Sequence, residues 1–121
     1  MSSRKVVVTA QDGDLEAKIS PDFGRCQFFL IVEVAEDDIK DFQATPNEPL
    51  EGLEGGMTGG AGTAALRIIK EERVSEVITS NIGRRPLRLL RNAGGVEVHR
   101  AEEGTARENV ENLLAGNLDP F

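Results

Sequence analysis

Val6-Val7-Val8 constrains this chain more than any other stretch. A continuous apolar run has no polar side to give to water, so as a strand it must be covered on both faces. In 121 residues, 39% of them hydrophobic, that requirement is met by one sheet with helices above and below it. The length suits one domain spanning 1–121 and is too short for two ordinary ones.

The rest of the chain supplies the other layers. Leu15, Ala17 and Ile19 alternate with Glu16 and Lys18, predicting a short extended piece that Ser20-Pro21-Asp22 turns. Residues 27–34 are aromatic and β-branched, a second core strand, and Ala35-Glu36-Asp37-Asp38 is a turn of hairpin length leading to an antiparallel strand over 39–42. Residues 43–60, with Pro46, Pro49 and five of the thirteen glycines, read as a long Pro/Gly-rich loop. A helix follows from Ala61, with Ala65, Ile68 and Ile69 at i, i+3 and i+4. After a short strand over 76–80, Pro86 suits the first position of a second helix. That helix turns Leu87, Leu89, Leu90 and Ala93 to the core and stops at Gly94-Gly95. Val96 and Val98 mark a last strand. Thr105 and Glu108 form a capping box before a third helix whose stripe is Ala106, Val110, Leu113 and Leu114.

Three strands, then alternating helices and strands, make an α/β plan with a mixed five-stranded sheet. Right-handed crossovers set the first, third, fourth and fifth strands parallel, with the second antiparallel. The carboxyl ends of the parallel strands, the start of the second and the helix starts then share one edge, where open α/β sheets bind ligands. That edge is expected to carry Asp12, Arg25, Cys26, the glycines of 55–62, Asn81 to Arg85 and His99.

Charge narrows the ligand. Fourteen basic against 21 acidic residues leave −7 at neutral pH, which argues against nucleic acid or an anionic membrane as partner. An anion site here has to be a local reversal of the field. No apolar run nears the roughly 18 residues of a membrane span, and the amino terminus leads into a strand instead of a signal peptide, so a cytoplasmic location is expected. One cysteine and one histidine leave nothing from which to build a disulfide within this sequence or a zinc or iron–sulfur cage.

Gly55, Gly56, Gly59, Gly60 and Gly62 run directly into a helix-forming sequence. Helix-start amides exposed by glycines suit an anion; taken alone, such a stretch is more often a connector. Arg84, Arg88 and Arg91 stand at i, i+4 and i+7. For Arg88 and Arg91 the plain reading is a solvated helix face, whereas Arg84 and Arg85 oppose the dipole of a helix start, which invites a local anion. Cys26 reads first as a small buried hydrophobe and His99 as an exposed polar residue; ligation is the lesser reading of both.

Several segments together resemble the dinitrogenase iron–molybdenum cofactor biosynthesis domain family. They are Val6-Val7-Val8, the Ile19-Ser20-Pro21-Asp22-Phe23-Gly24-Arg25 turn, Phe29-Leu30-Ile31-Val32-Glu33-Val34, Gly60-Ala61-Gly62, Val77-Ile78-Thr79-Ser80-Asn81-Ile82-Gly83, Ala93-Gly94-Gly95-Val96-Glu97-Val98 and Gly104-Thr105-Ala106. The family includes carriers of the NifX and NafY type and the orange protein of sulfate reducers, and the short single domain is more similar to the orange protein or to other short members than to NafY. The resemblance implies a ribonuclease-H-like three-layer fold, strand order 3-2-1-4-5, and non-enzymatic binding of a preformed metal–sulfide cluster of molybdenum–copper or iron–molybdenum type. Cluster donor or recipient proteins are the implied partners.

Such a cluster brings its own sulfides, so the protein must offer amide donors, shape and positive charge. On this sequence that role falls to Arg25, Met57, Gly59, Gly60, Ala61, Gly62, Asn81, Ile82, Gly83, Arg84 and Arg85, with Cys26 and His99 as the weaker candidates for direct metal ligation. Rival readings remain. A Cys26–His99 enzyme lacks an orienting third group, and a magnesium nuclease would want carboxylates where Val6-Val7-Val8-Thr9 and Val77-Ile78-Thr79 stand. A nucleotide or small-anion module lacks a phosphate-loop lysine, and a metal-free interaction domain stays open.

Overall fold

A computed structural model describes residues 3–21, 23, 26–47, 63–93 and 95–121. Its elements in chain order are β1 (Ser3–Ala10), β2 (Phe28–Ala35), β3 (Asp38–Pro46), α1 (Thr63–Glu72), β4 (Glu76–Thr79), α2 (Arg84–Ala93), β5 (Glu97–Arg100) and α3 (Ala106–Leu114). The strands form one sheet in the order β3-β2-β1-β4-β5. β1 is antiparallel to β2 and parallel to β4, β2 is antiparallel to β3, and β4 is parallel to β5. This is the expected mixed α/β sheet.

Strand alternation divides the core in two. Val6, Val8, Leu30, Val32, Val34 and Ile78 face α3, where Val110 and Leu113 meet them. Val7, Phe29, Ile31, Val77 and Val98 face the opposite way, against Ile69 of α1 and Leu90 of α2. Val6, Val7 and Val8 are all fully buried, so the central run is covered on both faces as its composition demands. At roughly 1.5–3 kcal/mol for burying each such side chain, this strand anchors both layers. Among the described residues no helix is long and apolar enough to cross a membrane.

Several local expectations are corrected. Residues 43–46 continue β3 instead of opening the loop, because Phe28 to Ile31 offer them a ladder and Pro46 comes only at the last rung of an edge strand; residues 48–62 lie outside the described residues. Of the expected extended piece only Lys18 and Ile19 are bridged, to Thr105 and Ala10, while Leu15 to Ala17 turn: Gln11 N–H donates to Lys18 C=O (2.9 Å) and Ser20 N–H to Thr9 C=O (3.0 Å), folding the segment back over the end of β1. α2 begins at Arg84, two residues before Pro86, whose missing N–H costs nothing within a first turn. Leu89 is 44% exposed and not part of the core. The stripe of this helix is narrower than its leucine content suggests.

The carboxyl-terminal residues add a contact the sequence does not announce. Arg100 N–H donates to Asp119 C=O (2.7 Å) and Phe121 N–H to Val98 C=O (3.0 Å), so the tail pairs with the outer edge of β5 and shields it. Arg100 stacks 4.5 Å over the Phe121 ring, and Arg91 donates to the Phe121 carbonyl.

Candidate functional site

The carboxyl ends of β1, β4 and β5, the start of β2 and the end of β3 lie along one edge of the sheet. Three helix starts follow from this topology, and their amides differ in what occupies them. At α3 the Thr105 side chain accepts from Glu108 N–H while the Glu108 carboxylate accepts from Thr105 N–H. The next two amides, of Ala106 and Arg107, donate to Ala17 and Leu15 carbonyls (both 2.8 Å). Arg107 also donates to Glu16 (2.6 Å), a hydrogen bond that raises the guanidinium pKa. That helix start is closed by protein groups.

The start of α2 is open. Gly83 C=O accepts the first intrahelical bond, from Leu87 N–H (3.1 Å), and the amides ahead of it have no hydrogen-bond partner among the described residues. Arg84 and Arg85 are exposed, and the first turn contains no acid. Two cations beside the positive end of a helix cost about 0.3–1 kcal/mol each when nothing offsets them. An anion at this point is the natural counterweight.

The turn below is held firmly. Asn81 C=O accepts from Phe23 N–H (2.9 Å) and from Thr79 Oγ1 (3.3 Å), and the Ile82 side chain is buried in the core. Ile82 therefore anchors the turn and contributes backbone only. Asn81 and Gly83 are exposed. An alanine Cβ at Gly83 would make only ordinary 3.6 Å contact with Pro86.

The other sequence candidates separate. Arg25, Met57, Gly59, Gly60, Ala61 and Gly62 lie outside the described residues. Cys26, just ahead of β2, is 3% exposed within the α1/α2 core, the small buried hydrophobe of its first reading. His99 is misplaced by sequence reasoning. Its imidazole leans along the sheet to the amino-terminal edge, where Nε2 stands 3.2 Å from Glu76 Oε2 and 3.8 Å from Glu97 Oε1, while Arg4 holds the other Glu76 oxygen at 2.5 Å. It shares the α3 face with its register partner Ile78, so Cys26 and His99 lie on opposite faces and do not form a nucleophile–base pair. Ligand atoms of Glu76, Glu97 and His99 come within 4.8 Å of one another, yet His99 Nδ1 is buried without a hydrogen-bond partner among the described residues. A ligating Nε2 would leave a proton on that orphaned nitrogen, opposite to what histidine ligands require.

On the α3 side the same edge holds a cleft of about 600 Å³, bordered by Gln11, Lys18, Ser80, Glu102, Glu103 and Gly104 among others. Its outer wall is fixed by the fully buried Asn109, which accepts from Glu102 N–H and donates to the Glu102 and Thr105 carbonyls. Sequence reasoning missed these residues, although Gln11, Ser80 and Ala101 each directly follow a parallel strand. With two carboxylates to one lysine, this part of the rim suits an anion less than the α2 start does.

The profile of a family described as "Dinitrogenase iron-molybdenum cofactor" matches residues 4–116. The chain belongs to that family. Among relatives of this dinitrogenase iron–molybdenum cofactor domain, an uncharacterized protein of Methanocaldococcus jannaschii is 30% identical over 104 residues, 86% of this chain and 83% of its own. A crystal structure from the same organism is 25% identical, covers 100% of this chain and 97% of that one, and superposes with a TM-score of 0.70. The apo orange protein from Desulfovibrio gigas, 24% identical over 98% of this chain and 96% of its own, shares the fold at a TM-score of 0.78. The family is one of cofactor-binding and carrier domains, generally non-catalytic.

Proposed function

We propose that this domain binds and carries a preformed anionic metal–sulfide cluster, of molybdenum–copper or iron–molybdenum type, without catalysing a reaction. The cargo sits at the start of α2, on the amides ahead of Leu87 and the guanidinium groups of Arg84 and Arg85; Arg25, Met57 and the 59–62 glycine segment extend the site. The single observation that supports this reading most is the contrast between helix starts: that of α3 is filled by Thr105, Glu108 and the 15–17 turn, while that of α2 offers amides and two arginines with no acid among its first residues. Sulfide ligands accept such hydrogen bonds, and their negative charge offsets the arginines. Work in the cytoplasm, between a cluster donor and a recipient protein, fits the same reading.

The test is anaerobic. Apoprotein given tetrathiomolybdate with copper(I) is expected to acquire visible charge-transfer absorption that stays with it through gel filtration, and Arg84→Ala with Arg85→Ala is expected to lose most of it. A colourless protein with every metal–sulfide offered, or equal colour in the double variant, overturns the reading. Inorganic phosphate that displaces the colour at equal concentration would point to a general anion module.

A further inference from the structure

The outward side of α2 carries a pattern that the core does not use and that the cargo site shares only through Arg85. Arg85, Arg88, Leu89 and Asn92 fall at i, i+3, i+4 and i+7, on the side away from the buried Leu90, and all four are exposed. The helix has four arginines and no acidic residue. Among the described residues Arg4 pairs with Glu76, Lys5 with Glu72 and Arg107 with Glu16. Arg85 and Arg88 have no such partner among the described residues. Leu89 beside them is one of two large hydrophobic side chains left exposed there.

Arginine is enriched in recognition surfaces and among the residues that carry their energy, and the exposed leucine beside these arginines offers an apolar contact for a partner to cover. We propose that this face docks an acidic protein segment, an amphipathic helix whose carboxylates meet Arg88 and Arg85 and whose apolar residue covers Leu89. Protein fits better than nucleic acid for two reasons. The chain as a whole carries −7, which repels a polyanion beyond the patch, and one helix neutralises too few phosphates to overcome that. Leu89 also gains nothing from a phosphate backbone. Because the surface adjoins the α2 start, a docked partner stands next to the proposed cargo; the docking itself does not depend on that reading.

The probe is a fluorescein-labelled synthetic helix of glutamate and leucine, titrated with the full chain and followed by anisotropy. Binding is expected to weaken with added salt, to fall about tenfold in Arg88→Glu and roughly fivefold in Leu89→Ala, losses of about 1.4 and 0.9 kcal/mol. Arg88→Gln, which adds no repulsion, is expected to move the same way and Arg88→Lys to recover part of the loss. Cluster uptake in the Arg88 and Leu89 variants is expected to stay at the parent level, which separates failure of the docking surface from failure of the cargo site. Equal binding by Arg88→Glu, equal binding of a lysine–leucine helix, or tighter binding of single-stranded RNA overturns the proposal. So does sedimentation in which Leu89→Glu converts an oligomer to monomer, since the groove at Asp37, Asp38, Ile39 and Glu111 would then be covering Leu89 from a second copy.

Discussion

Thr9 Oγ1 donates a 3.0 Å hydrogen bond to Thr79 Oγ1 across the two central parallel strands, with both residues fully buried. Thr79 Oγ1 in turn donates to Asn81 C=O at 3.3 Å. Two hydroxyls in an otherwise apolar layer thus tie the strand pair to the turn that presents the α2 start.

Removing the middle of this relay strands its first member. Thr79→Val leaves the Thr9 hydroxyl buried without its acceptor and is expected to cost about 1–3 kcal/mol in urea unfolding. Thr9→Val is milder, because Thr79 keeps Asn81. The double valine variant is expected to be more stable than Thr79→Val alone. A double variant that loses the sum of both single effects would show that the two hydroxyls are not coupled.

Arg84→Ala with Arg85→Ala should separate stability from binding. Taking two cations off the positive end of a helix is expected to leave stability unchanged or raise it by about 0.3–1 kcal/mol per residue, even as cluster uptake falls. Cys26→Ala is expected to do the reverse, since it trims a buried core side chain at about 1 kcal/mol with little effect on uptake. Loss of stability in the arginine pair would mean that these residues serve the fold.

For His99 the expected change is small. His99→Leu gives up the contact with Glu76, which keeps Arg4, and removes a buried nitrogen that has no partner among the described residues. These opposing terms of about 1 kcal/mol should nearly cancel, with uptake of cluster unaffected. Abolished uptake would return the histidine to the ligand set.

Gly104 has φ +130°, and a Cβ built there falls 2.5 Å from Glu108 Oε1, the oxygen that caps Thr105. Gly104→Ala is therefore expected to lose about 1–3 kcal/mol through backbone strain and the disturbed capping box. Thermal unfolding measures it, and an unchanged midpoint would refute the account.

Much of this was legible in the sequence because it depends on local pattern. Val6-Val7-Val8 had to be central, Thr105 and Glu108 had to cap a helix, and the alternation of strands and helices left few arrangements of a right-handed α/β chain. The open edge, and the place of Asn81 to Arg85 on it, followed from that order.

Side-chain direction did not. His99 and Cys26 sit beside the rim in sequence order, yet a strand sends neighbouring side chains to opposite faces and long ones lean along it; packing therefore took one into the α1/α2 core and turned the other to Glu76 at the far edge. The extra rungs of β3 and the tail against β5 were likewise decided by which backbone groups found partners across the sheet. Which helix start stays open was decided in the same way: the 15–17 turn supplies carbonyls to α3 and not to α2. Composition by itself specified a covered central strand and a locally basic helix in an acidic chain, because burial and charge are properties of residues. Only the tertiary structure decided which donors remain unspent, because a hydrogen bond is a property of two groups brought together.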